Sequence, residues 1–135
     1  MGAWGTLNFE NDTALDLVYE IEEAGANRIK TAIEAVNSKE EDSFLDSDLC
    51  SEALAAIEYI AAAKDKASED FPEDAEEWLT PANKESLLTI RNLIANSKQA
   101  IDRIKHNSEL KDLWEESEDF EEWNKVLDEL VTRIG

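Results

Sequence analysis

The chain has 135 residues, 42% hydrophobic and 34% charged, with only 4 glycines and 2 prolines. That length suits one domain able to bury about 65–70% of its unfolded surface, and so few turn residues exclude a turn-rich all-β fold. Thirty-three acids against 13 bases leave a net charge of −20, which sets the chain against nucleic acid and anionic membranes and toward basic partners; simple solubility, or a salt-rich interior, accounts for the same excess.

The chain opens on Gly2-Ala3-Trp4-Gly5, with Phe9 and then Asn11-Asp12-Thr13 following. Glycines beside an indole let backbone approach closely, so Trp4 and Phe9 read as anchors of an N-terminal segment, residues 1–11, folded back on the core. Met1 to Thr6 also fits the myristoylation pattern, but one acyl chain needs a second, usually basic, signal, and acids stand here instead. The start lacks the basic and apolar regions of a signal peptide. No apolar run approaches the ~20 residues of a membrane span. The expected compartment is the cytoplasm.

Asn11 or Asp12 caps a first helix to about Ala24, with Ala14, Leu17, Val18 and Ile21 on one face and Gly25 as its C-cap. A second helix, about Asn27 to Val36, turns Ile29, Ala32, Ile33 and Val36 inward. Residues 37–43 form a polar loop pinned by Phe44 and Leu45. A third helix, about Leu49 to Ala67 and capped by Ser47 or Asp48, is apolar on much of its circumference, which marks it as central. An acidic connector, Glu69 to Glu77, has room for one helical turn. Thr80-Pro81 starts a fourth helix running to about His106, and Asn107-Ser108 recaps a short one, Glu109 to Glu115. The last runs from about Asp119 to Ile134. The pattern predicts an all-α, single-domain bundle of about five main helices with short connections.

The opening has the form Met-Gly-x-Trp-Gly-x-x-x-Phe-x-Asn-Asp-x-Ala-x-Asp, carried here by Gly2, Trp4, Gly5, Phe9, Asn11, Asp12, Ala14 and Asp16. It resembles the bacterial proteins of the domain of unknown function numbered four-two-five-nine. The likeness continues through Ala53–Ala63, Trp78-Leu79-Thr80-Pro81 and Ser108–Glu115, and ends near Trp123 and Arg133. It departs at residues 7 to 9, where that family often has Gly-x-Phe and this chain has Leu7-Asn8-Phe9. The resemblance implies the fold and carries no activity with it.

Catalytic chemistry is thinly supplied. His106 is the only histidine and Cys50 the only cysteine, so neither a thiolate cluster nor a Glu-x-x-His pair is available. His106 ends a helix, where an imidazolium suits the dipole. Cys50 reads as a small buried hydrophobe. The carboxylates match no calcium loop. Catalytic residues, metal ligands and cofactors are therefore all expected to be absent. Glu58 stands out as an acid among apolar neighbours, paired or functional. Lys84, Arg91, Lys98 and Lys105 lie seven apart as a stripe that ties to acids on neighbouring helices or attracts an anion.

Two runs carry the charge. Glu73, Asp74, Glu76 and Glu77 precede Trp78, and Glu115, Glu116, Glu118, Asp119, Glu121 and Glu122 precede Trp123. Each is a solvated face near a helix N-terminus or a docking surface for a cationic protein, with Trp78, Trp114 or Trp123 as aromatic anchors. The leading reading is a non-catalytic acidic interaction protein, in its most concrete form a bacterial immunity protein that neutralises a basic toxin such as a nuclease. A DNA mimic that occupies a nucleic-acid-binding protein and a hydrolase with an all-carboxylate metal site are the alternatives.

Overall fold

The computed structural model describes residues 5–40 and 42–135. Among them are eight helices and no strand: α1 (Asp12–Ala24), α2 (Ala26–Asn37), α3 (Ser47–Ala63), α4 (Glu73–Trp78), α5 (Pro81–Leu88), α6 (Leu93–His106), α7 (Glu109–Glu115) and α8 (Phe120–Ile134). They make one all-α domain. The count exceeds five because the connector holds a helix of its own, α7 is a distinct turn, and the expected fourth helix is two.

The axis of the domain is α3. Every residue from Ala53 to Ala63 is buried, and α1, α2, α5, α6, α7 and α8 all pack on it. Alanine at many of these positions lets the neighbouring helices approach closely. The outer helices bury one stripe each: Ala14, Leu17, Val18 and Ile21 on α1; Ile29, Ala32, Ile33 and Val36 on α2; Trp123, Leu127, Leu130 and Ile134 on α8. Cys50 lies fully inside, and burial pushes its thiol pKa up to about 12.

Caps explain most boundaries. Asn11 accepts the Ala14 amide at 2.8 Å, Asp46 the Leu49 amide at 2.8 Å, Thr80 the Asn83 amide at 3.2 Å and Ser108 the Lys111 amide at 3.0 Å. Each satisfies a donor the helix leaves orphaned. Gly25, at φ 77, ends α1 and leads straight into α2.

Three boundaries differ from the sequence pattern. Helix α3 starts at Ser47 with Asp46 as its cap, so Ser47 and Asp48, the expected caps, lie inside its first turn. Helix α3 stops at Ala63, because Asp65 takes φ 63 and the Asp65 and Lys66 amides bond back to the Ala62 and Ala61 carbonyls. This is a Schellman cap with aspartate where glycine usually stands. The expected 81–106 helix breaks at 89–92. There the Thr89 hydroxyl donates to the Glu85 and Ser86 carbonyls and Asn92 takes φ 59, a left-handed conformation that asparagine tolerates. The basic stripe is therefore split by the break: Lys84 on α5 faces Asp65 at 3.5 Å and Lys105 on α6 faces Asp128 at 2.5 Å, while Arg91, in the break, and Lys98 make no ion pair among the described residues. Of the two residues expected to pin the loop before α3, Leu45 is buried but Phe44 is 66% exposed.

Candidate functional site

Residues 5–11 form a clasp across one side of the bundle. Glu10 folds back so that its carboxylate accepts the Leu7 amide at 3.1 Å. It lies so close to Gly5 that a Cβ there would displace the Glu10 carboxylate, the mobile end of a flexible side chain. Phe9 is buried, edge-on to Tyr59 and to Phe71 at 6.3 and 5.5 Å between ring centroids. Its amide donates to Asp70 at 2.9 Å. Asn11 caps α1 and its side-chain amide reaches the Asn8 carbonyl at 3.3 Å. Gly2 and Trp4 lie outside the described residues.

Beneath the clasp is an ion pair inside the core. Glu58 is 1% exposed. Its two carboxylate oxygens accept from Arg133 at 2.8 and 3.0 Å, and Oε2 also accepts the Asn8 side-chain amide at 2.8 Å. Arg133 bonds further to the Lys66 carbonyl and to Glu129. Burial works against the Arg133 cation, yet the hydrogen bond and charge of Glu58, with Glu129, raise its pKa above the ordinary guanidinium value. The pair joins the clasp, α3 and α8, and its bidentate geometry together with Asn8 satisfies the buried carboxylate.

The acidic runs bracket this clasp. One side begins at Asp70, which holds the Phe9 amide, and continues along α4 against α1. The other occupies the α7–α8 junction. Glu69 and Glu122 face the same surface groove, with Leu7 and Val126 in its lining and Lys125 and Arg133 beside them. All ten carboxylates singled out from sequence, from Glu73 to Glu122, are exposed. Among the described residues only Glu115 of these ten is in an ion pair, with Lys111 at 2.7 Å.

Of the three tryptophans beside these runs, Trp114 and Trp123 are core residues and Trp78 packs against the core. Trp123 is 1% and Trp114 6% exposed. Trp78 is half-buried with its ring edge-on to Tyr59 at 5.8 Å. None of these three stands free as an aromatic anchor; among the described residues the large apolar side chains open to solvent are Tyr19, Phe44 and Leu88.

Between the clasp and the bundle lies a polar chamber of about 80 Å³. The clasp supplies Thr6 and Asn8. The first turns of α1 and α3 supply Asp12, Thr13, Asp48 and Ser51, and the indoles of Trp114 and Trp123 add apolar surface. The Thr13 hydroxyl donates to Asp48 at 3.1 Å across the two helices. Asn11 and Asp12 carry a local capping pattern in the sequence, whereas Thr6, Asn8 and Ser51 meet only through contacts between distant parts of the chain. Among the described residues no group of three histidine, cysteine or acidic side chains is arranged to hold a metal ion. His106 is exposed at the end of α6, with Nδ1 at 3.2 Å from Asp102.

Fold and site together define a small, acidic, all-helical domain locked by an N-terminal clasp over a buried carboxylate–guanidinium pair. Residues 2–126 match the family described as Domain of unknown function (DUF4259), and the chain belongs to that family. No curated protein and no solved structure matches it. No helix among the described residues is long and apolar enough to cross a membrane.

Proposed function

We propose that this domain is a non-catalytic binding module that captures a basic protein in the cytoplasm, and that its specific role is immunity against a cationic toxin such as a nuclease. The observation behind this reading is the contrast between two sets of acids. The one carboxylate inside the core is matched by a guanidinium and an amide. The ten carboxylates of the runs on either side of the clasp are left exposed and, apart from Glu115, make no ion pair among the described residues. Unpaired like charges at this density repel one another in the free protein. A cationic surface relieves that repulsion, and the field speeds its approach.

The test is capture from the native host with the wild-type chain beside a Glu118→Lys, Asp119→Lys, Glu121→Lys, Glu122→Lys variant. The wild type is expected to retain one basic protein at low salt, encoded next to its own gene, and to suppress that protein's toxicity on co-expression. Retention should fall steeply as salt shortens the Debye length toward ~8 Å, and the variant should lose it. Equal retention by both proteins, or no protection from the neighbouring gene product, would sink the reading.

A further inference from the structure

We propose that the clasp is a releasable strap: residues 5–10 lift from the bundle as a unit while the helices stay folded, and the phenol of Tyr59 opposes their closure from beneath. The attachment is slight. Among the described residues no backbone–backbone hydrogen bond joins residues 5–10 to the bundle; the one such bond they make, from the Glu10 amide to the Leu7 carbonyl at 3.0 Å, lies within the segment. The Asn8 side-chain amide reaches Glu58 at 2.8 Å, the Phe9 amide reaches Asp70 at 2.9 Å, and the Phe9 ring is buried. Asn11, which caps α1 and bonds to the Asn8 carbonyl at 3.3 Å, is the fixed end from which the segment swings. A segment held by so few buried contacts opens with a free energy below that of global unfolding.

The opposing element lies under Phe9. Tyr59 is fully buried, its ring edge-on to Phe9, Phe71 and Trp78 at 6.3, 5.3 and 5.8 Å between centroids. Its hydroxyl makes no hydrogen bond among the described residues, although a buried tyrosine hydroxyl normally finds a partner. Burial, with the charges of Glu22 on α1 and Asp74 on α4, pushes its pKa up. The hydroxyl therefore keeps its proton, and neither carboxylate comes near enough to accept it. Left in this state, it costs the closed form the desolvation penalty of an unmet polar group. Of the three rings around it, only Phe9 belongs to the strap. Lifting Phe9 opens one wall of the enclosure to water and releases the penalty. Closure thus sets the burial of Phe9 and two hydrogen bonds against one unanswered hydroxyl, the balance that makes a two-state element. Opening carries Phe9 out beside the acidic runs, where Trp114 and Trp123 are buried and offer no free ring. It is a property of the free protein, so it stands or falls apart from the capture of a basic partner.

Native-state amide hydrogen exchange of the full chain, followed residue by residue by NMR, is the test. The Phe9 and Glu10 amides, both hydrogen-bonded in the closed form, report the strap, and the Ile57 and Ile60 amides report the bundle. The two strap amides are expected to share one opening constant, at least ~100-fold larger than that of α3. Asn8→Ala, which removes the acceptor of neither amide, should raise that shared constant about 10-fold, because the unit loses a charge-assisted bond. Tyr59→Phe removes the unanswered hydroxyl and should lower the constant by about 5-fold or more. It should slow Ile57 and Ile60 by the same factor, since water reaches the hydroxyl in the open and the unfolded forms alike. Strap amides that exchange only as slowly as α3, or that do not answer Asn8→Ala together, show a fixed cap and overturn the proposal. A Tyr59→Phe variant whose strap constant is unchanged overturns it as well, whatever its effect on α3 or α4, because the hydroxyl is then relieved elsewhere.

Discussion

Glu58 is the residue on which the clasp, α3 and α8 converge. A buried ion pair is weak evidence for stability, because desolvation offsets most of its attraction; removing one partner is nevertheless costly, since a charge is left uncompensated. Arg133→Met is therefore expected to destabilise the protein by about 3–5 kcal/mol. Adding Glu58→Leu to it should recover much of the loss, although the Asn8 amide then needs a new acceptor. Urea unfolding midpoints of the single and double variants check this; a double variant no more stable than Arg133→Met would mean that the carboxylate was not the source of the penalty. Half of this arrangement is legible in sequence. An acid at position 58 amid alanines and isoleucines must be compensated, but its partner lies 75 residues away and no local pattern names it. Thr6, Asn8 and Ser51 escape for the same reason, because each is an ordinary polar residue until the fold brings it to the chamber.

At the scale of elements, the faces were readable and the ends were not. Stripes such as Leu17–Ile21 and Leu127–Ile134 follow helical spacing, and packing on α3 enforces that spacing. Helix ends depend on single residues in uncommon conformations. Asp65 and Asn92 stand where glycine is the usual signal, so α3 reads four residues too long and α5 and α6 read as one helix. The same fact yields a prediction. A non-glycine residue in the left-handed region costs roughly 1–2 kcal/mol, and the exposed Asp65–Lys84 contact at 3.5 Å returns little. Asp65→Gly should thus stabilise the domain by about 1 kcal/mol, reduced somewhat by the freedom glycine gains in the unfolded chain. Thermal unfolding of this variant beside Lys84→Ala checks it. A stability loss in Asp65→Gly that Lys84→Ala reproduces would show that the ion pair, not the backbone, governs this cap.

For the molecule as a whole, the decisive quantity is a charge of −20 held within a small volume. A compact domain of this length has a radius of gyration of roughly 14 Å. At ~10 mM ionic strength the Debye length is about 30 Å, so every carboxylate feels nearly all the others; at ~0.15 M it is about 8 Å, and only near neighbours remain coupled. Salt should therefore act with opposite signs on folding and on binding. It relieves self-repulsion in the compact state, and raising NaCl from ~10 mM to ~0.5 M is expected to stabilise the free protein by on the order of 1–2 kcal/mol, read as a rise of several degrees in Tm. The same addition weakens capture of a cationic partner. The core pair of Glu58 and Arg133 is shielded from mobile ions and contributes little to either slope. The four-lysine variant carries less excess charge and should show a shallower rise in Tm with salt. If the wild type shows no rise, or the variant matches its slope, the exposed runs are already balanced in the free protein, and relief of their repulsion cannot drive the binding of a basic partner.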